Sequence, residues 1–318
     1  MANIARFEWR RRGAASRRLL SASDAAGFVF LLAGVFCAGT TSGFELQKAA
    51  RNVASPVAAL PAGRTKASLG SVPLAASLSA PSLPSGGGPV SAADRQVSWK
   101  LMIPNVLSDQ KLIWLFPIHV AQGHHWKPAL GFVAGTAALV ALDPHDSSYF
   151  RTTKAFTGFN TAFSGRNTSL GLTLVPLSFY AVALARHRKY DQQTALLVGE
   201  AVIDSELLTT VMKSVDRRLR PRDVPPSSGF NDTFFESRGG GLLSGRGSFP
   251  SGHEIAAFSI ATVFAKRYAR HRWVPWVAYG LAAAVGFSRI SLRAHFPSDV
   301  FAGAVLGYGI SNYVVLRR

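Results

Sequence analysis

The stretch PSGHEIAAFSIATVFAKRYARHR, residues 250–272, decides the fold. Pro250 and Ser251 punctuate the chain, an apolar run follows over 254–269, and a basic cluster from Lys266 to Arg272 closes it. The run lacks the alternation of a half-buried strand and is too long for one, so it predicts a helix opening beside Gly252 and His253. Further apolar segments of the same kind lie at 129–142, 169–185, 194–212, 274–290 and 300–316. Six such helices in the last 220 or so residues predict an all-α helical bundle of about six core helices. If the helices run up and down, the basic clusters at 186–189, 266–272 and 317–318 share one end. Three polar blocks, near Lys213, Ser251 and His295, then converge at the other.

Bulk properties set outer limits. A chain of 318 residues with 48% hydrophobic and 16% charged residues can bury a sizeable core. The net charge of +18 points to anionic partners or to a positive-inside membrane bias. One cysteine, Cys37, rules out a disulfide framework and a thiolate metal cluster. Residues 1–39 read as an export signal or N-terminal anchor. A head of Arg10, Arg11, Arg12, Arg17 and Arg18 precedes the apolar stretch from Ala25 to Ala38, which is short for a bilayer span. Ser16-Arg17-Arg18-Leu19-Leu20 partly resembles a twin-arginine signal, and Ser21 departs from it. Residues 40–98 are rich in Ala, Pro, Ser and Gly and read as a disordered linker. The helical domain is expected over 99–318; for the site to face outward, either a further crossing is hidden around Val106–Val120, or the segment from Ala25 to Ala38 does not cross, or the whole domain is exported and soluble.

The three blocks carry the chemistry. Lys213 and Arg220 are seven residues apart, two helical turns, which predicts one shared helix face ending at Pro221. Arg offers a planar fork and Lys a point charge to phosphate oxygens. A solvated basic helix end would carry the same residues, because Arg217, Arg218 and Arg222 stand alongside. In the second block, Ser251 and Gly252 open a helix whose free N–H groups suit an anion, and His253 stands where a proton donor belongs. An N-cap serine beside a surface histidine would read identically. In the third block, Asp299 lies four residues after His295, close enough to fix its tautomer, and Arg289 adds a third cation. Phosphoryl transfer gains from such positioning and charge neutralisation.

Taken in order, K-x6-R-P, P-S-G-H and S-R-x5-H-x3-D resemble the signature of the type 2 phosphatidic acid phosphatase and vanadium haloperoxidase superfamily, at its bacterial acid-phosphatase-like members. Every fixed position is met, and 194–316 carries the strongest likeness. Ser108-Asp109-Gln110-Lys111 with Trp114 adds a weaker one. The resemblance implies an all-α bundle and metal-independent hydrolysis of phosphate monoesters or pyrophosphates, lipid-linked substrates included. It implies that His295 attacks phosphorus to form a phosphohistidine, that Asp299 orients it, and that His253 protonates the leaving group and later activates water. Lys213, Arg220, Ser251, Gly252 and Arg289 would hold the phosphate. No cofactor or metal is implied, although vanadate or phosphate would suit the pocket. The expected setting is the cell envelope, with the site on the periplasmic side of the inner membrane or in a soluble periplasmic domain.

Two other classes stay in view. A vanadate-dependent haloperoxidase would use the same pocket, and the compact chain argues against it. A non-catalytic basic protein for anionic lipid leaves the paired histidines unexplained; nucleic acid is not an expected partner. Gly239-Gly240-Gly241 and Gly245-Arg246-Gly247 read as a flexible loop, with Arg238 or Arg246 near the site. Asp143, His145 and Asp146 read as a loop rather than a metal site. Glu200, Asp204 and Glu206 are expected to make internal polar contacts to nearby cations.

Overall fold

The helix that opens at Gly252 is the hub. Named in chain order, the helices are α1 (Met102–Ala121), α2 (Trp126–Thr152), α3 (Thr157–Ala162), α4 (Gly165–Ala185), α5 (Lys189–Asp216), α6 (Gly252–Arg267), α7 (Trp273–Ser291) and α8 (Pro297–Gly309). A 3-10 turn at Pro221–Asp223 follows α5, and a π-helical turn at Ile310–Val315 extends α8. This computed structural model describes residues 95–235 and 247–316, and among them there is no strand. The all-α expectation therefore holds. The six apolar segments map onto α2, α4, α5, α6, α7 and α8, and the structure adds α1 and the short α3. The expectations for 1–94, for the glycine-rich loop at 236–246 with Arg238 and Arg246, and for Arg317-Arg318 lie outside the described residues.

Helix α6 packs against α5, α7 and α8 at once. It is apolar on nearly every face, as a helix surrounded by others must be. Ile255 and Val263 of α6 are fully buried against Val198 and Ala201 of α5, in one cluster with Leu197, Phe264 and Ile310. Small residues set how closely α8 approaches. A Cβ on Gly303 would sit 2.8 Å from the Ser251 carbonyl oxygen and 3.1 Å from the Glu254 Cβ. One on Gly307 would collide with the Ile255 carbonyl oxygen. These two glycines let α8 rest directly on the start of α6, where the Ser251–His253 block stands.

Helix direction puts the blocks together. The C-terminus of α5, the N-terminus of α6, the C-terminus of α7 and the N-terminus of α8 meet at one end of the bundle. The loops after α4 and α6 meet at the other, where Tyr190 donates a 2.6 Å hydrogen bond to the Arg267 carbonyl and the Arg267 guanidinium lies 3.9 Å from the Tyr190 ring centre. The basic loops at 186–189 and 266–272 thus share the end opposite the blocks, as up-and-down helices require.

Helix α4 is the only one among the described residues long and apolar enough to cross a membrane, with a mean hydropathy of 1.6 over its apolar window. Large apolar side chains are also exposed on α1 (Ile103, Leu107, Ile118), α2 (Leu130, Val133) and α4 (Leu170, Leu174, Leu177). Glu200 and Asp204 of α5 are buried, while Glu206 is exposed. Asn105 donates to Glu200 at 2.8 Å, and Gln110 donates to Asp204 at 2.9 Å. Arg95 pairs with Asp109 at 2.7 Å and with Glu200 at 3.2 Å.

Gly303→Ala should lower the stability of the chain by about 1–3 kcal/mol, because a methyl group cannot fit against backbone without moving α6. Chemical denaturation in detergent checks this; an unchanged midpoint would mean that α8 does not rest on Ser251 as closely as the structure has it.

Candidate active site

Four separate segments line one open cavity of about 230 Å³: Gly165 at the start of α4, Arg220 and Arg222 after α5, His253 in the first turn of α6, and Arg289, Leu292, Ala294 and His295 at and beyond the end of α7. Arg220, His253, Arg289 and His295 are four of the eight residues singled out from sequence. Lys213, Ser251, Gly252 and Asp299 stand just behind them. Among the lining residues there are three arginines and no carboxylate.

Lys213 and Arg220 do not share a helix face. Helix α5 ends at Asp216, Arg217 takes a left-handed conformation with φ of 42°, and Arg220 is extended at φ −83°, ψ 150°. The extended form is what a residue before proline prefers, so the break falls four residues earlier than Pro221 alone suggests. Lys213 stays in the last turn of α5 and reaches across to α6. A Cβ on Gly252 would lie 3.2 Å from its Nζ. Gly252 therefore gives room for the ammonium group beside the helix start.

Ser251 precedes α6 but is not an ordinary N-cap. Its side chain makes no capping hydrogen bond, and its fully buried Oγ has no partner among the described residues. A buried hydroxyl left without a partner costs free energy unless something else satisfies it. It lies beside the unpaired N–H groups of the first turn of α6, a natural place for an anion. The Ser251 backbone N–H donates to the Asp299 carbonyl at 3.0 Å, which ties this helix start to that of α8.

Arg289 is buried and heavily bonded on one edge. It donates to Thr168 Oγ1 at 3.1 Å, to Ser288 Oγ at 2.9 Å and to the Phe163 carbonyl oxygen. Its Nη1 makes none of these bonds and lies 3.7 Å from the place a Gly165 Cβ would occupy, on the cavity wall. His253 Nε2 lies 3.0 Å from Ser169 Oγ, and the ring also bonds to the Gly165 backbone. Burial first, then the charges of Arg289 and His295, lower the His253 pKa to about 4.

His295 sits in the loop before α8, held by its Nδ1. That nitrogen lies 2.8 Å from the Ser248 carbonyl oxygen but 3.6 Å from Asp299 Oδ2. A carbonyl can only accept, so Nδ1 carries the proton and Nε2 keeps its lone pair. The Ser248 backbone, rather than Asp299 alone, fixes the tautomer. Burial depresses the His295 pKa to about 4 despite the opposing pull of Asp299.

Asp299 has closer business elsewhere. Its Oδ2 accepts from Ser248 Oγ at 2.5 Å and from the Phe296 backbone N–H at 2.9 Å, and its Oδ1 accepts from Arg218 at 2.5 Å. Burial, the largest single influence, would raise the Asp299 pKa; the Arg218 guanidinium, His295 and the Ser248 hydroxyl together outweigh it and hold the carboxyl below its usual value. Arg218 is itself only 2% exposed. It also donates to Asp143 at 2.6 Å, to Ser298 Oγ at 2.7 Å and to Thr233 Oγ1 at 3.1 Å, between the rings of Phe296 and Phe234. Asp143 thus belongs to helix α2 and not to a loop, and Asp146 and His145 follow it along the same helix.

Sequence reasoning missed Arg218, Ser248, Thr168 and Ser169. Arg218 looks like its neighbours Arg217 and Arg222 in a basic run, and only its two-residue offset from Arg220-Pro221 distinguishes it. Ser169 lies 84 residues before His253 and carries no local signal.

Residues 194–317 match the family model described as the PAP2 superfamily. Lipid A 4'-phosphatase of Porphyromonas gingivalis is 25% identical over 146 residues, 45% of this chain and 59% of that protein. Lipid A 1-phosphatase of Rhizobium etli is 33% identical over 119 residues, 37% of this chain and 48% of that protein. The bacitracin transport permease protein BcrC of Bacillus licheniformis is 47% identical over 60 residues, 19% of this chain and 28% of that protein. The chain thus spans less than two thirds of each of these relatives. A crystal structure of a transmembrane PAP2-type phosphatidylglycerolphosphate phosphatase from Bacillus subtilis aligns with a TM-score of 0.41 at 25% identity, covering 58% of this chain and 92% of that one.

Arg218→Met should destabilise the fold by about 3–5 kcal/mol, because it leaves the buried carboxylates of Asp143 and Asp299 without their cation. Arg217→Met, on the exposed neighbour, should change stability by less than about 1 kcal/mol. Equal thermal shifts for the two variants would contradict the buried position of Arg218.

Proposed function

We propose that the chain is a phosphatase of the PAP2 superfamily, whose model matches residues 194–317, and that it hydrolyses phosphate esters of lipid-linked substrates through a covalent phosphohistidine at His295. One observation carries this reading. Arg220, Arg289, His253 and His295 meet in a cavity with no carboxylate among its described lining residues, with His295 Nε2 left free by the Nδ1 bond to Ser248.

The mechanism follows from those groups. The non-bridging phosphate oxygens take hydrogen bonds from Arg220, from the free edge of Arg289, from Ser251 Oγ and from the first-turn N–H groups of α6, with Lys213 behind. His295 Nε2 attacks phosphorus, and a P–N bond forms as the bond to the leaving oxygen breaks. The positive charge that then develops on the imidazole is countered by Asp299, which Arg218 keeps anionic. His253 gives its proton to the departing oxygen. In the second half it takes a proton from water, which attacks phosphorus and releases inorganic phosphate with neutral His295. Ser169 and Gly165 hold the His253 ring in place.

The names of the curated relatives and the apolar span of α4 support lipid-linked phosphates at a membrane of the cell envelope. The basic loops at the far end of the bundle favour the cytoplasmic side by the positive-inside tendency, which turns the cavity outward. Vanadate would fit the same cavity as an inhibitor that mimics phosphate.

His295→Ala should lower kcat at least about a thousandfold on every phosphate ester, because the attacking nitrogen is lost. His253→Ala should cost alkyl phosphates at least about tenfold more than p-nitrophenyl phosphate, whose good leaving group needs little proton donation. Equal losses on both would remove His253 from the acid role. With both histidines near pKa 4 in the empty site, His295 stays neutral above that pH while His253 loses its proton. The kcat/KM for an alkyl phosphate should therefore rise as the pH falls from 8 to 5; a profile climbing toward pH 8 would contradict the assignment.

A further inference from the structure

The acid histidine has a neighbour able to pass its proton on. His253 Nε2 lies 3.0 Å from Ser169 Oγ, on helix α4 and outside the three sequence blocks. A hydroxyl inside a helix commonly turns back on its own backbone. In this chain Thr173 donates to the Ser169 carbonyl at 3.0 Å, Thr209 to the Ser205 carbonyl at 2.7 Å and Ser214 to the Thr210 carbonyl at 2.8 Å. Ser169 Oγ is bonded instead to a ring nitrogen of a second helix. Ser169 is exposed, and it stands one turn after Gly165, which lines the cavity. Beyond it along α4 come the exposed apolar side chains of Leu170, Leu174 and Leu177. The hydroxyl thus lies where the cavity gives way to the apolar face of α4, the side on which an apolar leaving group departs.

The two histidines differ in the kind of partner each has. His295 Nδ1 faces the Ser248 carbonyl, which only accepts, and the Ser248 hydroxyl at 3.3 Å has its proton spent on Asp299. The proton on that Nδ1 is fixed, which suits a nucleophile that attacks through its other nitrogen. His253 Nε2 faces a hydroxyl, which accepts from an N–H or donates to a lone pair without moving. A ring that gives up a proton in one half of a cycle and regains it in the other needs a partner of this second kind. The charges around His253 are Arg289 on α7, His295 before α8 and Lys213 on α5, and each disfavours the protonated ring. A carboxylate in the place of Ser169 would hold the proton on the ring, whereas a hydroxyl lets it go.

We propose that Ser169 is a catalytic residue whose hydroxyl carries the proton between His253 Nε2 and the leaving oxygen. The inference rests on the phosphatase reading above and adds a proton path to it. As His295 bonds to phosphorus and the P–O bond breaks, Ser169 Oγ gives its own proton to the leaving oxygen and takes the one on His253 Nε2. One N–H and one O–H bond break, and two O–H bonds form. Ser169 then donates to the neutral ring, the reverse of its bond to the protonated one. In the second half, water gives a proton to Oγ as its oxygen attacks phosphorus, and the proton already on Oγ returns to Nε2. The P–N bond breaks, phosphate leaves, and ring and hydroxyl end as they began.

The test uses the full chain in detergent, in single turnovers on octyl phosphate and p-nitrophenyl phosphate. Ser169→Ala should slow octyl phosphate at least about tenfold more than p-nitrophenyl phosphate, whose leaving group needs little proton donation. Ser169→Thr keeps a hydroxyl and should restore most of the loss. Alanine suits an exposed helical position, and thermal unfolding verifies that both variants fold. Rates in mixtures of light and heavy water then count the moving protons. Wild type and Ser169→Thr should show a curved dependence on the deuterium fraction with octyl phosphate, because two protons move together, and Ser169→Ala a straight one. Equal losses on the two esters, no loss on either, or a straight line for the wild type would overturn the proposal while leaving the phosphatase reading in place. Inactivity of the wild type on both esters would overturn both.

Discussion

A single guanidinium holds the site in register. Arg218 lies buried between the carboxylates of Asp143 on α2 and Asp299 on α8, while its backbone carbonyl accepts the N–H of Ser248 at 2.8 Å. Three pieces of chain distant in sequence are joined at one residue. Burying charge is costly, and the cost is offset only when every polar group is satisfied. Here the hydroxyls of Ser298 and Thr233 complete the shell, and Ser298 donates to Asp143 at 2.5 Å. The network carries one positive and two negative charges. Its carboxylates lie behind a cavity whose described lining has three arginines and no carboxylate, which helps so many cations share a small volume.

This arrangement divides the charged groups into two sets. Arg218, Asp143 and Asp299 are consumed by one another and shape the backbone. Arg220, Arg289 and Arg222 keep donors toward the cavity. The histidines sit between the two sets, each with one ring nitrogen engaged by the fold: His295 by the Ser248 carbonyl, His253 by Ser169 Oγ. An imidazole positioned through a backbone carbonyl needs no reorganisation when a phosphate arrives, and such preorganisation is the usual source of electrostatic catalysis. The close seat of α8 on α6 at Gly303 then fixes the separation between Ser251 and Asp299, so packing of the core and spacing of the site are one constraint.

Much of this was legible from residues alone. Apolar segments of helical length gave the bundle, and the order of the three blocks gave the phosphate chemistry, because a P-S-G-H turn, a paired His–Asp and flanking cations each have local signatures. Arg220, His253, Arg289 and His295 do line one cavity. The hidden part is tertiary. From sequence, helix α1 reads only as a hidden crossing around Val106–Val120, left open because Pro104, Asp109 and Lys111 interrupt its apolar pattern; Arg95 pairs with Asp109 and Gln110 donates to Asp204. Asp143 read as loop, yet the helix continues through Pro144 to Thr152. Arg218 was indistinguishable from solvated neighbours, since burial of a charge depends on partners 75 and 81 residues away.

The central claim is that His295 forms a covalent bond to phosphorus. Rapid acid-free quenching of the full chain during turnover of a phosphorus-32-labelled ester, followed by peptide mapping, tests it most directly. The account predicts a label that survives base, is lost in acid, and maps to the peptide containing His295. A label on His253, or turnover at full rate with no covalent label on the chain, would contradict it.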